Sequence, residues 1–400
     1  MAAEAIRHGE VHDRERHRAF AVPADARAVL RIDLAALRAN WARLNREAGA
    51  AECAGILKAD AYGLGLEQIA RALTAQGCKT FFVATLEEGR RARAIQPGAV
   101  IYILDGLLPG AEVHYSGFDL RPVLSSEPEV RDWAAYCKRL GRRLPAAVQL
   151  DTGMNRLGLQ AHEIEAIVAN SALLQTFDMT LVMSHLACAD DPANPMNEAQ
   201  RALFDHLRAK LPPAKASLAN SGGTFLGPDF HYDLVRPGIA VYGGRAFEGA
   251  DNPMQPVVSL SARILQLRDV PTGGVVGYGA TFKAARPSRM ATIACGYADG
   301  FLRALSGPTG HPGPVGYIGD YPVPVVGRVS MDLITVDVTD VPMNLAQRGN
   351  WVEVVGGRVT LDDLTDRAGT IGYELLARLS KRVHRIYEDH SAEAPSDAVT

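Results

Sequence analysis

Cysteine is scarce and scattered in this chain: five in 400 residues, Cys53, Cys78, Cys137, Cys188 and Cys295, with no CxxC pair. That odd, dispersed set argues against a disulfide framework and against a metal site of the zinc type. Positive charge is not in excess either. With 42 Lys and Arg against 45 Asp and Glu, the formal net charge is −3, which speaks against a nucleic-acid partner. No apolar run approaches the roughly 18 residues needed to span a bilayer. The N-terminus carries Arg7, His8, Glu10, Asp13, Arg14 and Glu15 but no apolar signal-peptide core. Cytoplasmic residence is the resulting expectation. No GxGxxG opens the first strand–helix unit, which counts against a dinucleotide fold.

What is present is ordinary globular composition, 47% hydrophobic and 22% charged, at a length that suggests two domains. From 28 to 256 short apolar runs alternate with helical patterns. Val29–Asp33, Cys53–Leu57, Phe81–Ala84, Val100–Leu104, Arg121–Leu124, Ala146–Leu150, Met179–Ser184 and Ala214–Leu218 read as strands. Leu34, Leu37, Trp41 and Leu44 show the helical spacing between two of them. Some eight such repeats predict an α/β fold, a (β/α)8 TIM-type barrel. From 257 to 388 β-rich runs separated by Gly and Pro clusters predict a second, mostly β domain, with a helix from Tyr373 to Leu379 and a last strand at Val383–Tyr387. Residues 1–27 and 389–400 read as a poorly ordered extension and tail.

Lys58 ends a short apolar run and is followed at once by Tyr62, Gly63 and Gly65. A lysine at the end of a buried strand loses hydration, so its pKa falls toward neutrality, and a neutral amine is the nucleophile that condenses with an aldehyde cofactor. A lone strand-end lysine more often simply snorkels to solvent. Other polar words also fall where predicted strands stop, the place where a barrel keeps its chemistry. They are Asp151 to Gly158, Ser184-His185, Asn220 to Gly223, and Arg236-Pro237-Gly238-Ile239. Singly, each could be a loop or a cap, Ser221 a helix cap, and His185 a satisfied core histidine. Together with Lys58 they form one set.

The stretch Ile56 to Gly65 resembles the cofactor-lysine motif of the bacterial alanine racemases, a family dependent on pyridoxal phosphate (PLP). DTGMNRLG, SHLACAD, ANSGG, RPGIAVYG, VGYGATF, GYADGF, RVSMD and GYELLARL resemble that family's motifs in the same order, so the likeness covers about residues 28–387. The resemblance implies L-/D-alanine interconversion supplying D-alanine for peptidoglycan. It implies two acid–base groups, Lys58 and Tyr278, one per face of the substrate, with the tyrosine contributed by the other subunit of a homodimer. It also implies a chain from Tyr278 through His185 to Arg236. An arginine on the pyridine nitrogen cannot give up its proton, which mutes electron withdrawal and disfavours transamination. Phosphate binding is implied for Tyr62, Ser221, Gly238, Ile239 and Tyr373, and contact with the cofactor's phenolic oxygen and the substrate carboxylate for Arg156. The Met331 N–H completes carboxylate recognition, Tyr297 and Tyr373 narrow the entrance, and Arg303, Arg328 and Asp190 line the outer approach. No metal is implied.

This chain departs from the family's pattern at Gln149, where many members have a lysine modified to a carbamate that orients the arginine, and at Ser330, where some have cysteine. A broad-specificity or serine racemase, or a non-catalytic PLP-binding protein, are the alternative readings. The second of these expects a single barrel and no Tyr278. A PLP decarboxylase sharing the barrel would lack VGYGAT and GYADG in this arrangement.

Overall fold

The computed structural model describes residues 22–389; the expectations for 1–21 and 390–400 fall outside them. The chain forms two compact units, one of residues 33–257 with 371–377, the other of the described residues before 33 with 258–370 and 378–388.

The first unit is a parallel barrel. Its strands are β2 (Glu52–Cys53), β3 (Gly55–Ile56), β4 (Thr80–Val83), β5 (Val100–Ile103), β6 (Arg121–Leu124), β7 (Pro145–Gln149), β8 (Asp178–Met183), β9 (Lys215–Ser217) and β10 (Leu234–Val235). Neighbours from β3 to β9 pair in sequence order. β2 and β3 are two halves of one strand interrupted at Ala54, and β2 pairs with β10 through Cys53 and Val235. Asp233 N to Ala216 O at 3.1 Å and Arg236 N to Ala219 O at 2.9 Å attach the last strand to the other edge, so eight strand positions close on themselves. The strands are apolar on both faces, as parallel strands covered by helices must be; β4 is buried throughout. Asp33 accepts from Ala36 N at 2.8 Å and caps the helix Leu34–Glu47, whose Leu37, Trp41 and Leu44 are buried. Asn40 on this helix is 2% exposed and donates to Gln255 O while accepting from Gln255 N, both at 2.8 Å.

In the second unit, β11 (Val258–Val270), β14 (Ser288–Ile293), β15 (Val315–Ile318), β16 (Tyr321–Val326), β17 (Ile334–Asp337) and β18 (Trp351–Val355) form an antiparallel ring closed by the pairing of β14 with β11. The thirteen residues of β11 make this possible: its first half pairs with β18, its second with β14. A small hairpin, β12 (Val275–Val276) with β13 (Phe282–Lys283), carries Tyr278 in its turn. β19 (His384–Glu388) lies at the outer edge of the sheet.

The run at Val29–Asp33 is a strand, β1 (Ala28–Asp33), but not the barrel's first. It pairs antiparallel with β11, Ala28 opposite Ala262, because alternation records that a segment is extended, not which neighbour it finds. Ala26, Val29 and Ile386 share an apolar cluster there. The helix Leu361–Ala368 and the strand β15 had no clear signal in the sequence; β15 contains Gly316, whose missing Cβ lets Glu353 O approach to 2.8 Å of where it would stand.

Replacing Asn40 with alanine removes its two bonds to the part-buried Gln255 backbone and its bond to Val241 O at 3.3 Å, each typically worth about 1 kcal/mol net. The expected loss is about 3 kcal/mol, read as a lower urea midpoint of barrel unfolding; an unchanged midpoint contradicts this accounting.

Candidate active site

Leu57 N donates to Phe82 O at 2.8 Å, extending β3 by one residue and delivering Lys58 at the strand's C-terminal end. Four successive non-glycine residues then adopt left-handed backbone: Ala59, Asp60, Ala61 and Tyr62, with φ of 54°, 55°, 54° and 56°. Each costs roughly 1–2 kcal/mol, so neighbours must hold the turn. Asp60 N donates to Glu88 Oε1 at 3.1 Å, Leu66 N to Asp60 Oδ1 at 3.2 Å, and Arg91 Nη2 to the same oxygen at 2.6 Å. Glu88 is also the N3 partner of Thr85 in the capping box that starts the next helix. One carboxylate thus ties that helix start to the turn after Lys58.

The turn presents the Tyr62 ring to Tyr242, stacked at 4.6 Å, and its hydroxyl to Gly238. A Cβ at Gly238 would stand 2.2 Å from that oxygen, so only glycine fits. Ser221 Oγ accepts from Gly238 N at 2.8 Å and Ala240 N at 3.3 Å. Its own proton, the Tyr62 hydroxyl proton and the buried Ile239 N–H have no acceptor among the described residues. Donors without an acceptor, two of them on residues that line the cavity described below, suit a phosphate.

Arg236 is 3% exposed. It donates from Nη1 to Ser217 Oγ and from Nη2 to Ser184 O at 2.5 Å and His185 Nδ1 at 3.4 Å. Ser217 hands its proton to Leu234 O at 2.5 Å. Burial brings the guanidinium down to about 9, which leaves it cationic at neutral pH. His185 is driven to about 3, first by burial and then by the charges of Arg236, Arg156 and Lys58. Since arginine only donates, the neutral imidazole accepts at Nδ1 and keeps its proton on Nε2. Lys58 is lowered by burial and then by Arg156, the direction that favours a nucleophilic amine.

These groups line one cavity of about 350 Å³, together with Ile56, Tyr62, Phe82, Asp105, Gln149, Arg156, Ser221, Gly238 and Tyr373. Tyr373 lies 5.8 Å from Tyr62, ring to ring, and burial followed by the charge of Asp190 raises it to about 12. Arg156 is exposed and has no hydrogen-bond partner among the described residues. Its loop is braced from beneath: Asp151 Oδ1 accepts from Gly153 N and Asn155 N at 3.0 Å, and Gln149 Nε2 donates to Leu157 O at 3.1 Å. A neutral amide braces the loop by this donated bond and offers Arg156 none of the negative charge a carbamate would carry.

All lining residues belong to the barrel unit. Tyr278, Tyr297 and Met331 belong to the other unit and are 73%, 42% and 53% exposed. The sequence reading overlooked Asp105, Ser217, Thr152 and Gln200. Asp105 had a signal, ending the run Val100–Leu104; Ser217 sits inside a strand, and nothing in its neighbours distinguishes it.

A family model described as "Alanine racemase, N-terminal domain" matches residues 32–246, and one described as "Alanine racemase, C-terminal domain" matches 257–387. The chain is 49% identical to "Alanine racemase" of Methylobacterium sp. strain 4-46, over 90% of this chain and 98% of that one. It is 47% identical to "Alanine racemase, catabolic" of Mesorhizobium japonicum, over 91% and 94%. Among solved structures, alanine racemase from Bartonella henselae with covalently bound pyridoxal phosphate superposes with a TM-score of 0.86 at 40% identity, covering 91% of this chain and 100% of that one.

The unfolded chain protonates His185 at about pH 6.5, the folded cavity only near 3. Between those values the unfolded state holds more protons, so stability falls as pH drops. The cofactor-free protein is expected to lose urea resistance more steeply from about pH 7 to about pH 5 than His185→Gln. Parallel curves would rule out a buried neutral imidazole.

Proposed function

The chain belongs to the alanine racemase family, and on that premise we propose how its own residues carry the reaction. It is a PLP-dependent racemase that interconverts L- and D-alanine. When bound, the cofactor's conjugated ring spreads the charge left when the substrate's α proton departs.

Lys58 holds the cofactor and serves as acid and base on one face of the substrate. Its partial burial and the Arg156 charge support this by favouring the neutral amine. Tyr62, Ser221 and the Ile239 N–H, whose donors are unmet, hold the phosphate together with Gly238, whose N–H orients Ser221, and with Tyr373 beside them. Arg236 meets the pyridine nitrogen without surrendering its proton, which restrains electron withdrawal by the ring. The direction of the Arg236–His185 bond is the observation that carries the two-base reading. It leaves an imidazole Nε2–H free to hydrogen-bond a phenolate and so to stabilise the base form of a tyrosine. Tyr278 is that tyrosine. Its exposure and lack of a partner among the described residues suit a side chain given to a second copy of this chain, so the enzyme is a homodimer with shared sites. Arg156 and the partner's copy of the Met331 N–H take the substrate carboxylate, while Tyr297 narrows the entrance. The D-alanine made in the cytoplasm feeds peptidoglycan.

Lys58→Ala is expected to abolish both the cofactor's visible absorbance and racemisation. Tyr278→Phe keeps the absorbance and loses at least about a hundredfold in kcat. In deuterium oxide this variant exchanges the α hydrogen of one alanine enantiomer only; equal exchange from both would contradict two distinct bases. Mass spectrometry of the peptide spanning Gln149 shows no adduct; an added carbamate mass would refute the brace described for Arg156.

A further inference from the structure

Gln200 lies on the helix Met196–Arg208, which contributes nothing to the cavity lining. It is 1% exposed and saturated: Nε2 donates to Thr152 Oγ1 at 3.1 Å and to His185 O at 3.0 Å, and Oε1 accepts from Ala187 N at 2.8 Å. Turning the amide over would set its oxygen against the carbonyl of His185, so one orientation is permitted. That orientation dictates the protons beyond it. Nε2 can only donate, so Thr152 accepts there and sends its own proton to Ser184 Oγ, 2.7 Å away. Ser184 in turn donates to Leu150 O at 2.8 Å. The same Ser184 offers its carbonyl to Arg236, and the same His185 offers Nδ1. Gln200 therefore fixes the backbone that follows the imidazole, at His185 O and Ala187 N, and, through two hydroxyls, the preceding residue that anchors the guanidinium.

We propose that Gln200 is a positioning residue for racemisation, locking the His185–Ala187 backbone directly and the Ser184 carbonyl through Thr152, so that the imidazole keeps Nδ1 on Arg236 and Nε2–H for the phenol. This rests on the roles of His185, Arg236 and Tyr278 given above. A purely structural glutamine would affect stability; a positioning one changes the proton chemistry.

The test compares wild-type holoenzyme with Gln200→Leu, Thr152→Val and Thr152→Ser. The first two are expected to retain the cofactor's visible absorbance, lose about tenfold or more in kcat, and change KM for alanine by less than about twofold. The acid limb of their kcat/KM profile moves to higher pH, because the phenol must lose its proton with a misdirected N–H. Thr152→Ser keeps the hydroxyl and restores both kcat and the limb. Wild-type kcat and profile with only a lower melting temperature overturn the proposal, as do equal losses in Thr152→Ser and Thr152→Val. If Gln200→Leu does not fold, the Thr152 pair decides. His185→Gln is the control. An unmoved acid limb there overturns the relay and the proposal with it; a moved limb there, with none in Gln200→Leu, overturns the role of Gln200 alone.

Discussion

A guanidinium sealed inside the mouth of a barrel sets the electrical conditions for everything near it. Among the described residues Arg236 has no carboxylate partner in its hydrogen bonds; its charge is met by a hydroxyl, a carbonyl and an imidazole nitrogen. Breaking such an arrangement would leave a buried charge uncompensated, at a cost of several kcal/mol. The arrangement persists because each acceptor is itself held: Ser217 by the Leu234 carbonyl, Ser184 by Leu150 and Thr152. Its field then pushes in one direction on its neighbours, helping to keep both His185 and Lys58 toward their neutral forms. A neutral imidazole and an amine of reduced basicity are what proton transfer near neutral pH requires.

The other side of the site depends on a conformation rather than a charge. Four residues in a row with left-handed backbone bring Tyr62 from the strand that carries Lys58 to the glycine at 238, a closeness no side chain at that position would allow. The strain is offset by Glu88, Asp60 and Arg91, which form a polar network joining the turn to two helix starts. Stability has been surrendered locally for placement, and the compensation lies in residues outside the cavity lining.

The barrel's alternation and the β-rich texture of the C-terminal half were legible in the sequence because apolar periodicity is written residue by residue. Lys58, His185, Ser221 and Arg236 were legible because strand ends in such a barrel face one mouth. Pairing partners were not: Val29–Asp33 reads like any barrel strand, and only its register with β11 shows otherwise. Nor were the supports of the site. Gln200 sits among Asn197, Glu198 and Arg201 on a polar-looking helix, and a buried amide has the same letter as a solvated one. Thr152 hides in a loop motif whose arginine draws attention first.

The placement of β1 has a consequence for how the chain comes into being. It is the first described strand to leave the ribosome, yet it waits for β11, whose Ala262 faces its Ala28. The intervening segment, Asp33 to Val257, is the bulk of the barrel unit and can close before that partner exists. During this interval β1 offers an unpaired, apolar edge, the kind that strays into intermolecular association. Elongation speed through the barrel thus governs how long the nascent chain stays vulnerable.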